Sequence, residues 1–195
     1  TTIFLPLAIA MVAGDSIAGE ANQGTLRYLL IVPVGRTRLL AVKYASIVVG
    51  ALVAVTVVAL TGVVLGAALF GLGPTTTLSG TQLPFAVALG RVVLVALYLA
   101  AGIAALGAVG LFLSTLTEQP LAATIATMVV VALSWVAEGV SQLAWLQPWL
   151  LTHWYLSAID LVRDPLYTTN VVRGLGLDAV YAVVFLLAAW ARLST

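Results

Sequence analysis

The chain is 195 residues long, 63% hydrophobic and 8% charged, with a formal net charge of +1 at pH 7. A soluble domain carries about a quarter charged residues, so a water-soluble globule is excluded. With no cysteine and one histidine, His153, the chain gives no redox signal and no histidine cluster for a metal or a triad; without a basic stripe it lacks the electrostatic footprint of a nucleic-acid binder.

Positions 1–14, 44–90, 92–117, 119–137 and 179–191 contain no Asp, Glu, Lys or Arg. Spanning the hydrocarbon core takes about 20 apolar helical residues, and several of these runs reach that length. Barrel strands alternate apolar and polar residues over about ten positions; "IVVGALVAVTVVALTGVVLGAALF" does not. The fold class expected is an all-α polytopic membrane protein forming one transmembrane domain over residues 1–195.

Five spans are predicted. The first covers about 1–18. Its charge-free run reaches only about 21 Å at 1.5 Å per residue, and the chain opens on Thr1. Upstream sequence is therefore expected, holding the start of this helix and an earlier span; a cleaved signal peptide is the alternative, against which stand the missing basic n-region and the later spans. A polar stretch follows at 19–43, "GEANQGTLRYLLIVPVGRTRLLAVK", which holds four of the eight basic residues: Arg27, Arg36, Arg38 and Lys43. Thr25 is a good N-cap for a short helix. Leu26, Leu29 and Leu30 recur at helical spacing, and Pro33 ends the helix near Val32. Gly35 turns the chain, Thr37 can cap the next helix, and Arg36, Arg38 and Lys43 mark its start at the headgroups.

The second span is predicted over 39–70, followed by a Gly, Pro and Thr loop at 71–84, and the third over 85–113. A polar break at 114–119 contains Thr115 and Glu118 at capping-box spacing, ahead of Pro120, which a first helical turn tolerates. The fourth span covers 120–137, a mixed segment 138–173, and the fifth 174–191. Gly62 and Gly66, and the small-residue run 100–110, allow close helix approach in lipid; intrachain packing is the simpler expectation, a subunit interface the other.

Placing 19–38 in the cytoplasm puts five basic residues inside and three, Arg91, Arg163 and Arg173, outside, in line with the positive-inside rule. Trp135, Trp145, Trp149, Trp154 and Tyr155 crowd the outer segment as an aromatic belt does, with Trp190 at the opposite interface. Anchoring explains these residues more simply than contact with a passing substrate, and His153 is expected to pack at the interface. Arg91 is expected to snorkel outward. Asp178 is expected to face water or to pair with Arg173, a buried functional charge being the alternative. One lysine against seven arginines points to a GC-rich bacterial genome.

Glu20, then "GTLR" at 24–27, "PVGR" at 33–36 and Lys43 together resemble the first cytoplasmic loop of type-2 ABC exporter permeases, including small antibiotic and drug exporters. "LSTLTEQP" is similar to the loop between the fourth and fifth spans of that family. Gly35 departs from the family, where Ser is common. The resemblance implies five visible helices of a six-helix permease. It implies that Glu20, Gly24, Thr25, Leu26, Arg27, Leu30, Pro33 and Arg36 form a coupling helix against an ATPase, with Thr115 and Glu118 in a second cytoplasmic loop. It also implies two ABC ATPase subunits, a second permease copy or paralogue, and a multi-pass place in a bacterial inner membrane. No G-x-x-x-x-G-K-[ST] loop occurs, so the chain is not expected to be an enzyme or to hold a cofactor; ATP and Mg would sit on the partner ATPase. The cargo expected is lipophilic or amphipathic, moved outward. On the residues alone, loop 19–43 is equally a topology anchor. An ion-coupled secondary transporter or a channel subunit is the alternative function, although the former usually needs charges inside the membrane and the latter a ring of like charges. An intramembrane protease lacks the paired residues it needs.

Overall fold

The structure, a computed structural model, describes residues 4–22, 36–77 and 79–194. Its long elements are α1 (Phe4–Asn22), α2 (Arg36–Phe70), α3 (Phe85–Ser114), α4 (Pro120–Glu138) and α5 (Thr169–Ser194). All five are long and apolar enough to cross a membrane.

α3 is the hub and packs against the other four helices. From Gly102 to Leu111 every residue of α3 is buried, because small side chains let the neighbours close in. A Cβ on Gly107 would strike Ile47 of α2 and lie 3.6 Å from Ile9 Cγ1 of α1. One on Gly110 would lie 2.8 Å from Ala13 Cβ and 3.2 Å from Thr127 Oγ1 of α4. The core gathers here, around Ile9, Ile47, Leu106 and Leu111, while residues such as Val57, Val64, Val129 and Val183 stay exposed, as helices facing lipid require. The expected intrachain packing of 100–110 therefore holds. It does not extend to Gly62 and Gly66, where an added Cβ would meet nothing within 4 Å.

Helix boundaries fall near those expected, with instructive shifts. α1 runs one turn past Ala18, because Glu20 in that turn is bound by Lys43 of α2. α2 begins at Arg36 rather than Leu39; its 35 residues span about 52 Å against a core of about 30 Å, so both ends project beyond the hydrocarbon. α5 begins at Thr169, five residues before Gly174. Gly174 does not start the helix. It serves close approach, since a Cβ there would run into the Tyr98 hydroxyl and lie 2.8 Å from Trp154 Cβ.

The capping box expected at Thr115 and Glu118 does not form. The Thr115 hydroxyl instead donates to Phe112 O of the preceding helix at 2.6 Å, Glu118 is exposed, and Gln119 precedes α4 without a side-chain cap. Pro120 in the first turn removes one orphan N–H, which lessens the need for a capping side chain.

Residues 71–84, expected as loop, include a two-residue antiparallel ladder, β1 (Thr75–Thr76) with β2 (Gln82–Leu83). Gly71, at φ 78°, ends α2 by donating to Ala67 O at 2.9 Å, the left-handed cap that glycine adopts without strain. Segment 139–168 forms three 3-10 turns at Ser141–Leu143, Gln147–Trp149 and His153–Leu161, with Pro148 in the second. It is tied to the helices by hydroxyls: Tyr98 donates to Trp154 O at 2.6 Å, Tyr181 to Trp149 O at 2.8 Å and Tyr155 to Gly102 O at 3.3 Å. It meets the β hairpin where the Asp164 N–H donates to Ser79 Oγ at 3.2 Å, so 71–84 and 139–168 share one end of the bundle.

Candidate functional site

The end opposite the hairpin holds the termini that flank residues 23–35. Gly24, Thr25, Leu26, Arg27, Leu30 and Pro33 lie outside the described residues. Glu20 occupies the last turn of α1 and Arg36 opens α2. Lys43, two turns into α2, binds Glu20, with the two side chains 19% and 30% exposed. This partly shielded pair ties the last turn of α1 to the second turn of α2.

The turn 115–119 lies at the same end. Gly14 of α1 faces the start of α4, where an added Cβ would lie 2.9 Å from Thr124 N and 3.1 Å from Pro120 O, and Thr124 Oγ1 donates to Ala10 O at 3.3 Å. Thr115 and Glu118 thus sit near the α1 terminus that carries Glu20.

Between α1 and α4 runs a groove of about 900 Å³ lined by Leu7, Met11, Leu121, Ile125 and Met128, with Asp15 and Thr124 as its polar members. The chain has two methionines, and both face this groove. Met is unbranched and polarizable and adapts to irregular partners. Sequence reasoning missed the groove; the signal was present only as two methionines in separate spans, which nothing local connects.

Asp178 corrects an expectation. It neither faces water nor pairs with Arg173. It is 8% exposed, nine residues or about 14 Å into α5, and among the described residues no basic side chain forms an ion pair with it. Positions 173 and 178 are five apart, whereas helix neighbours on one face are three or four apart, so the two side chains diverge. Asp178 instead turns to Gly102 of α3, where an added Cβ would lie 3.5 Å from its Oδ2 and 2.6 Å from Tyr155 Cε1. Burial, then the nearby Asp178 and Tyr98, push the Tyr155 phenol above its ordinary pKa, so it remains a neutral donor to Gly102 O.

Arg91 reaches toward the hairpin end, but into protein rather than open solvent. Its guanidinium is tucked under segment 139–168, donating to Leu161 O at 3.4 Å and standing 3.9 Å from Asp164 Oδ1. Fixed carbonyl and carboxylate groups offer it partners that open solvent would not hold in place. Trp145 and Trp149 of that segment are exposed, and Trp154 Nε1 donates to Pro148 O at 3.0 Å, which gives this indole one apolar and one satisfied polar end. His153 packs edge-on to Trp154 with Nδ1 3.1 Å from Glu138 Oε1. Among the described residues no group of three His, Asp or Glu side chains could hold a metal.

The model of the ABC-2 family transporter proteins matches residues 1–191. The chain belongs to that family. It is a multi-pass membrane protein and a permease subunit of an ABC transporter, and membership implies partnership with ABC ATPase subunits in general. No curated protein matches the sequence.

Proposed function

We propose that the chain is half of an ATP-driven exporter in a bacterial inner membrane, pairing with a second copy or a paralogue and with two ATPase subunits that hold ATP and Mg. The observation that carries this reading is the family match across residues 1–191. Residues 19–38 form the coupling element. On this reading Leu26 and Leu30 anchor in a groove of the ATPase, Arg27 with Glu20 makes charge-assisted contacts at the rim, and Arg36 belongs to the same element. By sequence, Gly24, Thr25 and Pro33 are expected to delimit a short helix. Glu20 plays a double part, bracing the loop through Lys43. The turn with Thr115 and Glu118 lies beside the same surface. This end is cytoplasmic and the hairpin end is external.

The methionine-bearing groove between α1 and α4 faces the second permease, and cargo leaves along that seam. Apolar, adaptable walls suit a lipophilic or amphipathic compound, because they cannot replace the hydration of a strongly polar solute. Filling the groove with Met128→Trp is expected to lower ATP-dependent efflux of a lipophilic dye from everted vesicles at least about tenfold, an effect equal to ~1.4 kcal/mol, while ATPase association persists. Unchanged efflux would move the path elsewhere.

Asp178 favours a second reading, an ion-coupled carrier, since ionisable groups inside spans commonly serve proton or ion relays. The two readings part on Asp178→Asn, which keeps the shape and removes the charge. Under the exporter reading the variant retains efflux within about twofold, an effect under ~0.5 kcal/mol. Complete loss in a normally folded protein would favour the carrier.

A further inference from the structure

α2 and α3 splay toward the hairpin end. The opening comprises two adjoining spaces, of about 600 Å³ and about 230 Å³. They share Ala59, Val63, Leu89 and Val92, which makes them one groove, running from Phe70 and Phe85 down to Leu52 and Ala100. Gly62 and Gly66 keep it open, because neither carries the side chain that would fill it.

The groove has a polar mouth. A third space, of about 310 Å³, shares Thr75, Thr76, Ala88 and Val92 with the first and is also lined by Arg91. A guanidinium offers five N–H donors. Here the contacts are the long ones to Leu161 O and to Asp164, whose carboxylate is 38% exposed and also accepts from Thr81 Oγ1 at 3.4 Å. The Arg91 side chain is 14% exposed and lines the groove mouth with Thr75 and Thr76, with more N–H donors than these two contacts use.

The dimensions match one leaflet. The groove covers Phe85 to Ala100, fifteen residues or about 22 Å of α3, and the nine residues below Arg91, about 13.5 Å, come close to half of a hydrocarbon core of about 30 Å. A helix of a second chain is about 10–12 Å across; it would have to force α2 and α3 apart, and its apolar face would cover Arg91 without giving it an anion.

We propose that this groove holds one phospholipid of the leaflet at the hairpin end, with an acyl chain between α2 and α3 and its phosphate at Arg91, Thr75 and Thr76. This rests on insertion in a membrane, not on the transport reading. A planar guanidinium binds phosphate through paired N–H donors, and the small-residue stripe supplies the channel for the tail.

Native mass spectrometry of the full chain, delipidated in mild detergent and then mixed with dioleoyl phosphatidylglycerol or dioleoylglycerol, tests the proposal. One phosphatidylglycerol per chain is expected, with the phosphate-free lipid held at least about tenfold more weakly, a gap of ~1.4 kcal/mol. Arg91→Gln should erase that preference, and Gly66→Leu should reduce retention of both lipids with little change in melting temperature. Equal retention of the two lipids by the unaltered protein overturns the phosphate assignment, even if a variant fails to fold. Retention unaffected by Gly66→Leu in a folded protein overturns the groove assignment. A lipid-free protein that instead forms a dimer abolished by Gly66→Leu would show the groove to be a subunit interface.

Discussion

Arg27→Glu is expected to strip the ATPase from the permease while leaving the permease in the membrane. The coupling element proposed at 19–38 offers apolar anchors, Leu26 and Leu30, and a single strong charge between them. Replacing that charge by its opposite removes the proposed charge-assisted contact and reverses the sign that the ATPase surface meets. A hydrogen bond to a charged group contributes about 1.5–3 kcal/mol; at ~1.4 kcal/mol per decade its loss weakens association about ten- to a hundredfold. Arg27 is one of five basic residues on the side assigned to the cytoplasm, so topology is not expected to invert. Membrane fractionation and co-purification of the ATPase read the two halves of the expectation separately. An intact complex with unchanged stimulated ATP hydrolysis would make the loop a topology anchor.

Gly107→Leu is expected to damage the bundle itself. The new side chain enters the place where α1, α2 and α3 meet, against Ile47, which is fully buried, and near Ile9. Overpacking a filled core costs about 1–3 kcal/mol, which for a chain of this size lowers the melting temperature by about 2–4 °C per kcal/mol, hence about 2–12 °C here. Gly62→Leu is the matched control, since nothing lies within 4 Å of its added Cβ, and it should melt within about 2 °C of the unaltered protein, in line with the small effect of substitutions away from packed sites. Equal losses from both would contradict the division of the glycines into packed and open sets. Thermal melts in one detergent suffice.

That division marks the limit of what was legible in the sequence. Span number and order follow from the charge-free runs together with the Gly, Pro and Thr loop that divides 44–90, since hydrocarbon demands that each crossing satisfy its own backbone as a helix. The small-residue run 100–110 reads as a packing face, and the structure bears this out. Gly62 and Gly66 carry the same local signal but face an open groove, because whether a small residue is covered depends on the angle between helices, which no local pattern encodes. Asp178 was misplaced for a related reason. Its burial depends on Gly102 lacking a side chain, in a helix 76 positions earlier in the chain. The Glu20 and Lys43 pair lies between these cases: both residues stood out as charges beside the polar stretch, but their contact required the two helices to return to the same level. The coupling residues from Gly24 to Pro33 rest on the resemblance and on local patterning alone.

The most direct measurement is affinity purification of the full-length protein in mild detergent, with mass spectrometry of whatever accompanies it. A soluble ABC ATPase at one copy per permease is the result expected. A permease that comes out alone, and in liposomes moves substrate under an ion gradient without ATP, would contradict the exporter and return Asp178 to the centre of the mechanism.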